Sequence, residues 1–169
     1  MKLIIAGASH LSKLTNALEN SDLINLPLFS IEDSERIPAE FKDLKDLSKQ
    51  FSTFDPYEPV MKDVAAYIFT SGTTGLPKAA LVDHAKLVKG SFAGHFLCFN
   101  FKTKDRLYMT LPLYHSTGLV LGWAASLRSG CANIIKPKFS ASEFWDDVKK
   151  YKANKFIYVG ELCRYLMNL

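Results

Sequence analysis

Apolar and polar residues along this chain change period several times, and each change marks a candidate element. Residues 2–6 are an apolar run with the composition of a strand, closed by a turn over 7–10. Leucines at 11, 14 and 18 then recur at i, i+3, i+7 spacing and predict a helix over 11–18 that packs on a sheet. A second strand is expected over 26–31. From 32 to 62 the chain turns polar, acidic and proline-marked, as a solvated connection without chemistry would, with one short helix over 41–51 in which Leu44 and Leu47 share a face.

Strands are expected over 65–70 and 79–82, on either side of a loop. Asp83 is placed to cap the helix that follows, whose apolar positions Leu87, Val88, Phe92, Phe96 and Leu97 recur at helical spacing, with Lys86 and Lys89 on the opposite, solvated face. After a turn over 100–105, a strand over 107–111 stops at Pro112. The helix from 116 or 117 to 129 is apolar nearly all round and therefore buried, with Gly118 and Gly122 admitting close backbone approach and Arg128 and Gly130 forming its C-terminal cap. A strand over 131–135 is followed by a capping-box signal, Ser140 and Glu143, for a helix to 151 that turns Phe144, Val148 and Tyr151 inward. A strand over 155–159 and a helix over 161–169 complete the pattern. Strands alternating with helices predict an α/β fold, a mainly parallel sheet covered by helices on both faces.

Composition narrows the class. With 48% apolar and 22% charged residues the chain is globular, and 169 residues suffice for one ordinary domain. Its net charge of +4 is small and scattered, so no nucleic-acid partner is expected. Cys98, Cys131 and Cys163 lie far apart among apolar residues, which points to reduced, buried thiols in an intracellular protein. The four histidines fall in no metal-ligand spacing, and no metal ligand is assigned. The N-terminal apolar run is too short for a secretory signal, and the uncharged stretch 107–127 contains Pro112, His115, Ser116 and two glycines, so it divides into strand, loop and helix rather than spanning a membrane.

The stretch with the most chemistry is Y-I-F-T-S-G-T-T-G-L-P-K, residues 67–78. Its two glycines, Gly72 and Gly75, allow positive φ and converging N–H groups; Ser71, Thr73 and Thr74 add hydroxyls; Lys78 adds a full charge. Together they suit a polyphosphate. The loop is not a Walker loop: Pro77 stands where the second glycine belongs, Ala79 follows Lys78, and the next residues are strand-like. Farther on, His115 stands just past a strand end, beside a tyrosine and ahead of a glycine-containing helix. Ligands bind at such positions in open α/β sheets, and spacing alone leaves it equally suited to capping the helix.

Residues 67–78 resemble the nucleotide-binding signature of the adenylate-forming enzymes. Together with P-L-Y-H-S-T-G-L, K-F-S-A-S-E-F-W-D-D and Y-V-G-E-L-C-R-Y-L, they look like the fatty-acid transport proteins, also called very-long-chain acyl-CoA synthetases, from about residue 64 onward. The resemblance implies a partial large N-terminal domain of an adenylate-forming enzyme, a single incomplete AMP-binding domain over 1–169 that lacks the adenine-binding half and the C-terminal lid. It implies a long-chain fatty-acid CoA ligase: a fatty-acid carboxylate attacks the α-phosphorus of ATP, and coenzyme A then displaces AMP, with Mg2+ held by residues outside this chain. Tyr67, Thr70, Ser71, Gly72, Thr73, Thr74, Gly75 and Lys78 would bind the nucleotide, and His115 would serve catalysis near the carboxylate. Relatives of this type associate with the endoplasmic reticulum, peroxisome or plasma membrane. By itself this polypeptide is expected not to turn over; the alternatives are a non-catalytic nucleotide- or acyl-binding fragment and a protein of fatty-acid uptake.

Overall fold

The computed structural model describes residues 2–19, 21–23, 25–31, 40–50, 53, 55–70 and 75–168. The chain forms two compact units, Met1–Tyr57 and Glu58–Leu169.

In the first unit, β1 (Ile4–Ala6), β2 (Leu28–Ser30) and β3 (Phe41–Asp43) pair in parallel in that order. Helix α1 (Leu11–Leu18), entered through a 3-10 turn over Ala8–His10, covers one face of this sheet. Leu11 and Leu18 bury themselves there against Leu28 and Phe41, as their spacing predicts. The helix expected over 41–51 is shorter. Phe41–Asp43 is a strand, and Asp43 ends it by accepting the Lys45 N–H at 2.8 Å, so that α2 occupies Leu44–Lys49. An N-cap carboxylate outweighs the weak helical pattern of three residues that can reach a ladder.

The second unit opens with an antiparallel pair, β4 (Val64–Thr70) and β5 (Lys78–Asp83). Helix α3 (His84–Phe92) follows, and its axis continues as a π-helical segment over Ala93–Phe99. A second sheet comprises β6 (Arg106–Met109), β7 (Ala132–Ile135) and β8 (Lys155–Ile157), all parallel, with β6 in the centre. Between β6 and β7 run a π-helical segment, Thr117–Ala124, and α4 (Ala125–Ser129); α5 (Phe144–Tyr151) joins β7 to β8, and α6 (Glu161–Met167) follows. Along β6 successive side chains alternate between two cores. Leu107 and Met109 enter a cluster with Phe101, Ala125 and Ile157, whereas Tyr108 enters one with Ile134 and Phe144. A strand buried on both faces has helices on both sides, as the alternation of elements predicts. The antiparallel pair is the departure from an all-parallel arrangement.

Four local expectations change. Helix α3 turns its small residues inward: Ser91 is buried, a Cβ on Gly94 would lie 2.6 Å from the Leu121 carbonyl, and one on Gly90 would collide with Val120. Phe92, Phe96 and Leu97 are consequently 50%, 55% and 83% exposed. Close backbone approach, rather than the position of the largest apolar groups, selects the packed face. The helix expected over 116–129 is present, but only its sheet-facing residues, among them Gly118, Gly122 and Ala125, are fully buried. No capping box forms. Ser140 pairs with Ser142 at 3.0 Å, and Glu143 ends as the N-cap residue of α5 with its carboxylate on Lys136 at 3.1 Å. Of the three thiols, all free, Cys131 is buried, Cys163 is half-buried and Cys98 is exposed. Among the described residues no helix is long and apolar enough to cross a membrane.

Candidate functional site

The loop between β4 and β5 sits at the tip of a hairpin whose register pairs Thr70 with Lys78. The Thr70 hydroxyl donates to the Lys78 carbonyl at 3.3 Å, closing the neck of the loop. Gly75 takes φ +94°, a conformation that a side chain would strain, as its place in the loop requires. Ser71, Gly72, Thr73 and Thr74 lie outside the described residues. Alternation along the pair puts Thr70 and Lys78 on the face of the buried Ile68 and Val82. Tyr67 projects from the other face and is 59% exposed. The hairpin thus carries a lysine and a threonine hydroxyl to one open end, with no carboxylate on the paired residues between Ala66 and Val82.

His115 reaches the same place from the other sheet. Strand β6 ends, Pro112 interrupts it, and the Pro112 carbonyl accepts the His115 N–H at 3.0 Å. A Cβ on Gly118 would lie 2.5 Å from that carbonyl, so the turn closes only with glycine there. His115 Nδ1 accepts the Thr117 N–H at 3.2 Å, which caps the following helix. With Nδ1 used as an acceptor, the proton of the neutral ring resides on Nε2, leaving a donor for an anionic oxygen. Capping and site chemistry are therefore compatible in one side chain. His115 and Ser116, with Tyr114, form one wall of a pocket of about 230 Å³, and Ile68, Phe69 and Thr70 form the other.

The residue that spacing did not single out is Tyr114. It borders this pocket, an apolar one of about 300 Å³ with Ala66, Ile68, Leu113 and Leu119, and a third of about 370 Å³ at the ends of β6 and β7. Its place immediately before the candidate histidine was the available signal.

Two polar networks hold the frame. The buried Asp147 accepts the Tyr108 hydroxyl at 2.7 Å and pairs with Lys136 at 2.8 Å. Burial, reinforced by the Asp147 hydrogen bond, pushes the Tyr108 phenol up to about 12. The Lys136 hydrogen bond holds the Asp147 carboxyl below its ordinary range, and that same bond raises the Lys136 ammonium. At the opposite end of the sheet Asp105 accepts the Lys102 N–H at 2.7 Å and the Asn154 amide at 2.8 Å, and pairs with Lys155 at 3.0 Å. The backbone bond leads in lowering its carboxyl to about 2. Among the described residues no three His, Cys, Asp or Glu groups converge as a metal site.

Comparisons with known proteins bear on the family and the fold. The family model described as AMP-binding enzyme matches residues 1–169. The chain is 38% identical over 174 residues to human long-chain fatty acid transport protein 6, covering 98% of this chain and 27% of that protein. It is 50% identical over 106 residues to the mouse protein of the same name, covering 63% and 17%. Among solved structures, ATP-bound MatB from Rhodopseudomonas palustris superposes with TM-score 0.79 at 23% identity, over 99% of this chain and 31% of that one. The long-chain-fatty-acid-CoA ligase FadD1 from Archaeoglobus fulgidus superposes with TM-score 0.83 at 18% identity, over 99% and 32%. At these identities the superpositions establish the fold, and the chain spans about a quarter of the human relative it matches. A family model matched from end to end, on a fold shared with MatB and FadD1, makes this chain a member of the AMP-binding enzyme family.

Proposed function

We propose that this chain supplies the phosphate-gripping part of a long-chain fatty-acid CoA ligase, which forms an acyl-adenylate from ATP and then an acyl-CoA. The observation that carries the reading is the shared pocket: Thr70, at the neck of the glycine-rich loop, and His115, with a ring donor to spare, face the same space. In this reading Ser71, Thr73 and Thr74, the N–H groups released by Gly72 and Gly75, and the Lys78 ammonium hold the β- and γ-phosphates. Thr70 closes the loop, and Tyr67 anchors its strand. Fixed donors aimed at a departing pyrophosphate stabilise charge as it develops without reorganisation. His115 Nε2 then serves the reacting carboxylate, positioning it in line with the α-phosphorus.

Fatty acid, ATP and coenzyme A are the partners in this proposal, and an intracellular membrane surface, where the acid partitions, is the place of work. Residues 1–169 make up a single AMP-binding domain whose adenine-binding half and lid are not among them. The isolated 169-residue polypeptide should therefore bind nucleotide without forming thioester. The test is calorimetric titration with ATP, alongside an assay for palmitoyl-CoA. Lys78→Ala should weaken ATP binding about tenfold or more, the value of a charged hydrogen bond. Unchanged affinity would remove Lys78 from the site, and robust thioester formation by the isolated polypeptide would overturn the division of labour.

A further inference from the structure

We propose that Tyr114 is a specificity-determining residue that divides the head and tail of an acyl ligand; the inference rests on the function proposed above. The pocket holding Thr70 and His115 and the apolar pocket holding Ala66, Leu113 and Leu119 share three residues, Ile68, Phe69 and Tyr114. An amphiphile with an anionic head at His115 and an apolar tail among Ala66, Leu113 and Leu119 has to pass those three. Ile68 is buried, and Phe69 stands on a strand paired residue by residue with β5. Tyr114 stands instead on a turn outside either sheet; at 80% exposed it is more open than Phe69 at 69%, and among the described residues its hydroxyl has no hydrogen-bond partner.

The backbone that carries Tyr114 is nevertheless fixed. Pro112 accepts from His115 at 3.0 Å, His115 accepts from the Leu119 N–H at 2.9 Å, and Gly118 packs on the Pro112 carbonyl. A free side chain on a held turn can change rotamer without moving the histidine beside it. On its other side Tyr114 meets a cleft that mixes Thr110, Lys136 and Lys138 with Leu111, Ile135 and Phe139, so the ring stands where an apolar pocket gives way to a mixed one. An aromatic ring with a polar tip suits that boundary: its body covers methylenes and its hydroxyl stays wet. The size of the ring then governs how well a long tail is shielded while the head is held at His115.

The measurement is calorimetric titration of the full 169-residue chain with three probes: ATP, acetyl-sulfamoyladenosine and palmitoyl-sulfamoyladenosine, the last two being non-hydrolysable acyl-adenylate mimics. Tyr114→Ala should weaken the palmitoyl probe about tenfold, while ATP and the acetyl probe shift less than about twofold. Tyr114→Phe, which keeps the ring, should match the parent chain on all three. Thermal melts of both variants should match as well, because so exposed a side chain contributes little packing. A Tyr114→Ala variant that binds the palmitoyl probe as well as the parent chain, or that loses all three probes equally, overturns the inference. A parent chain that binds ATP and the acetyl probe but gains nothing from the palmitoyl tail also overturns it, leaving the proposed function standing. A parent chain that binds none of the three removes both.

Discussion

The two ends of strand β6 differ in how they use their polar groups. At its N-terminal end Asp105 is 4% exposed and every contact is reciprocated: Lys102, Asn154 and Lys155 serve its carboxylate, and the Asn154 side-chain oxygen accepts the Arg106 N–H at 2.9 Å. Lys155 also donates to the Asn100 carbonyl at 3.0 Å. At the C-terminal end the Thr110 hydroxyl bonds the Ile157 carbonyl; beyond it Tyr114 and His115 stand exposed at the mouths of pockets. One end is a satisfied base that locks three elements together, and the other leaves donors unspent. The difference teaches where each cost is carried. Buried charges need complete pairing to be tolerated, whereas a ligand site needs groups whose pairing is deferred until the ligand arrives.

Substitutions can break or sharpen that contrast. The largest effect is expected from Leu107→Ala, one residue beyond Arg106, at a side chain that is 0% exposed between two packed layers. It should lower the unfolding free energy in urea by about 2–5 kcal/mol through lost transfer energy and a residual cavity. A loss under about 1 kcal/mol would mean that the base is not the stable end.

Acid should report on Asp105. Its folded carboxyl is lowered from 3.8 to about 2, so the stability it contributes is present above the unfolded value and is lost as pH falls through the folded one. The melting temperature of the parent chain should therefore decline between about pH 4 and pH 2. Asp105→Asn should start lower at neutral pH and decline less over that window. Parallel curves would show that other carboxylates carry the acid response.

The smallest effect on stability is expected at the open end. His115→Ala removes one capping hydrogen bond from an exposed residue, so it should cost only about 0.5–1 kcal/mol in urea. A larger loss would make His115 a structural residue and erase the contrast between the ends.

Much of the second unit was legible in advance because its signals are local. The two strands on either side of the loop, the Asp83 cap and the Gly130 C-cap each depend on neighbours within a few positions, and each is present, although the antiparallel pairing of those strands was not foreseen: Asp83 accepts the Lys86 N–H at 2.6 Å, and Gly130 takes φ +70°. The inward face of α3 was not legible. Periodicity points to Phe92, Phe96 and Leu97, but the neighbouring helical segment brings the Val120 side chain to Gly90 and the Leu121 backbone to Gly94, in the π-helical continuation of α3. The capping box failed for a related reason. Lys136, at the end of β7, offers Glu143 a charged partner that three-residue spacing cannot reveal.

By itself the sequence determined the strand and helix alternation and the candidacy of the loop and of His115 as site elements, because period, glycine placement and residue chemistry are properties of short segments. Tertiary structure alone decided that Thr70 and His115 face one pocket and that Tyr114 stands between three. Those facts depend on where two sheets bring distant segments to rest, and that is settled by backbones meeting at glycines and by buried charges finding their partners.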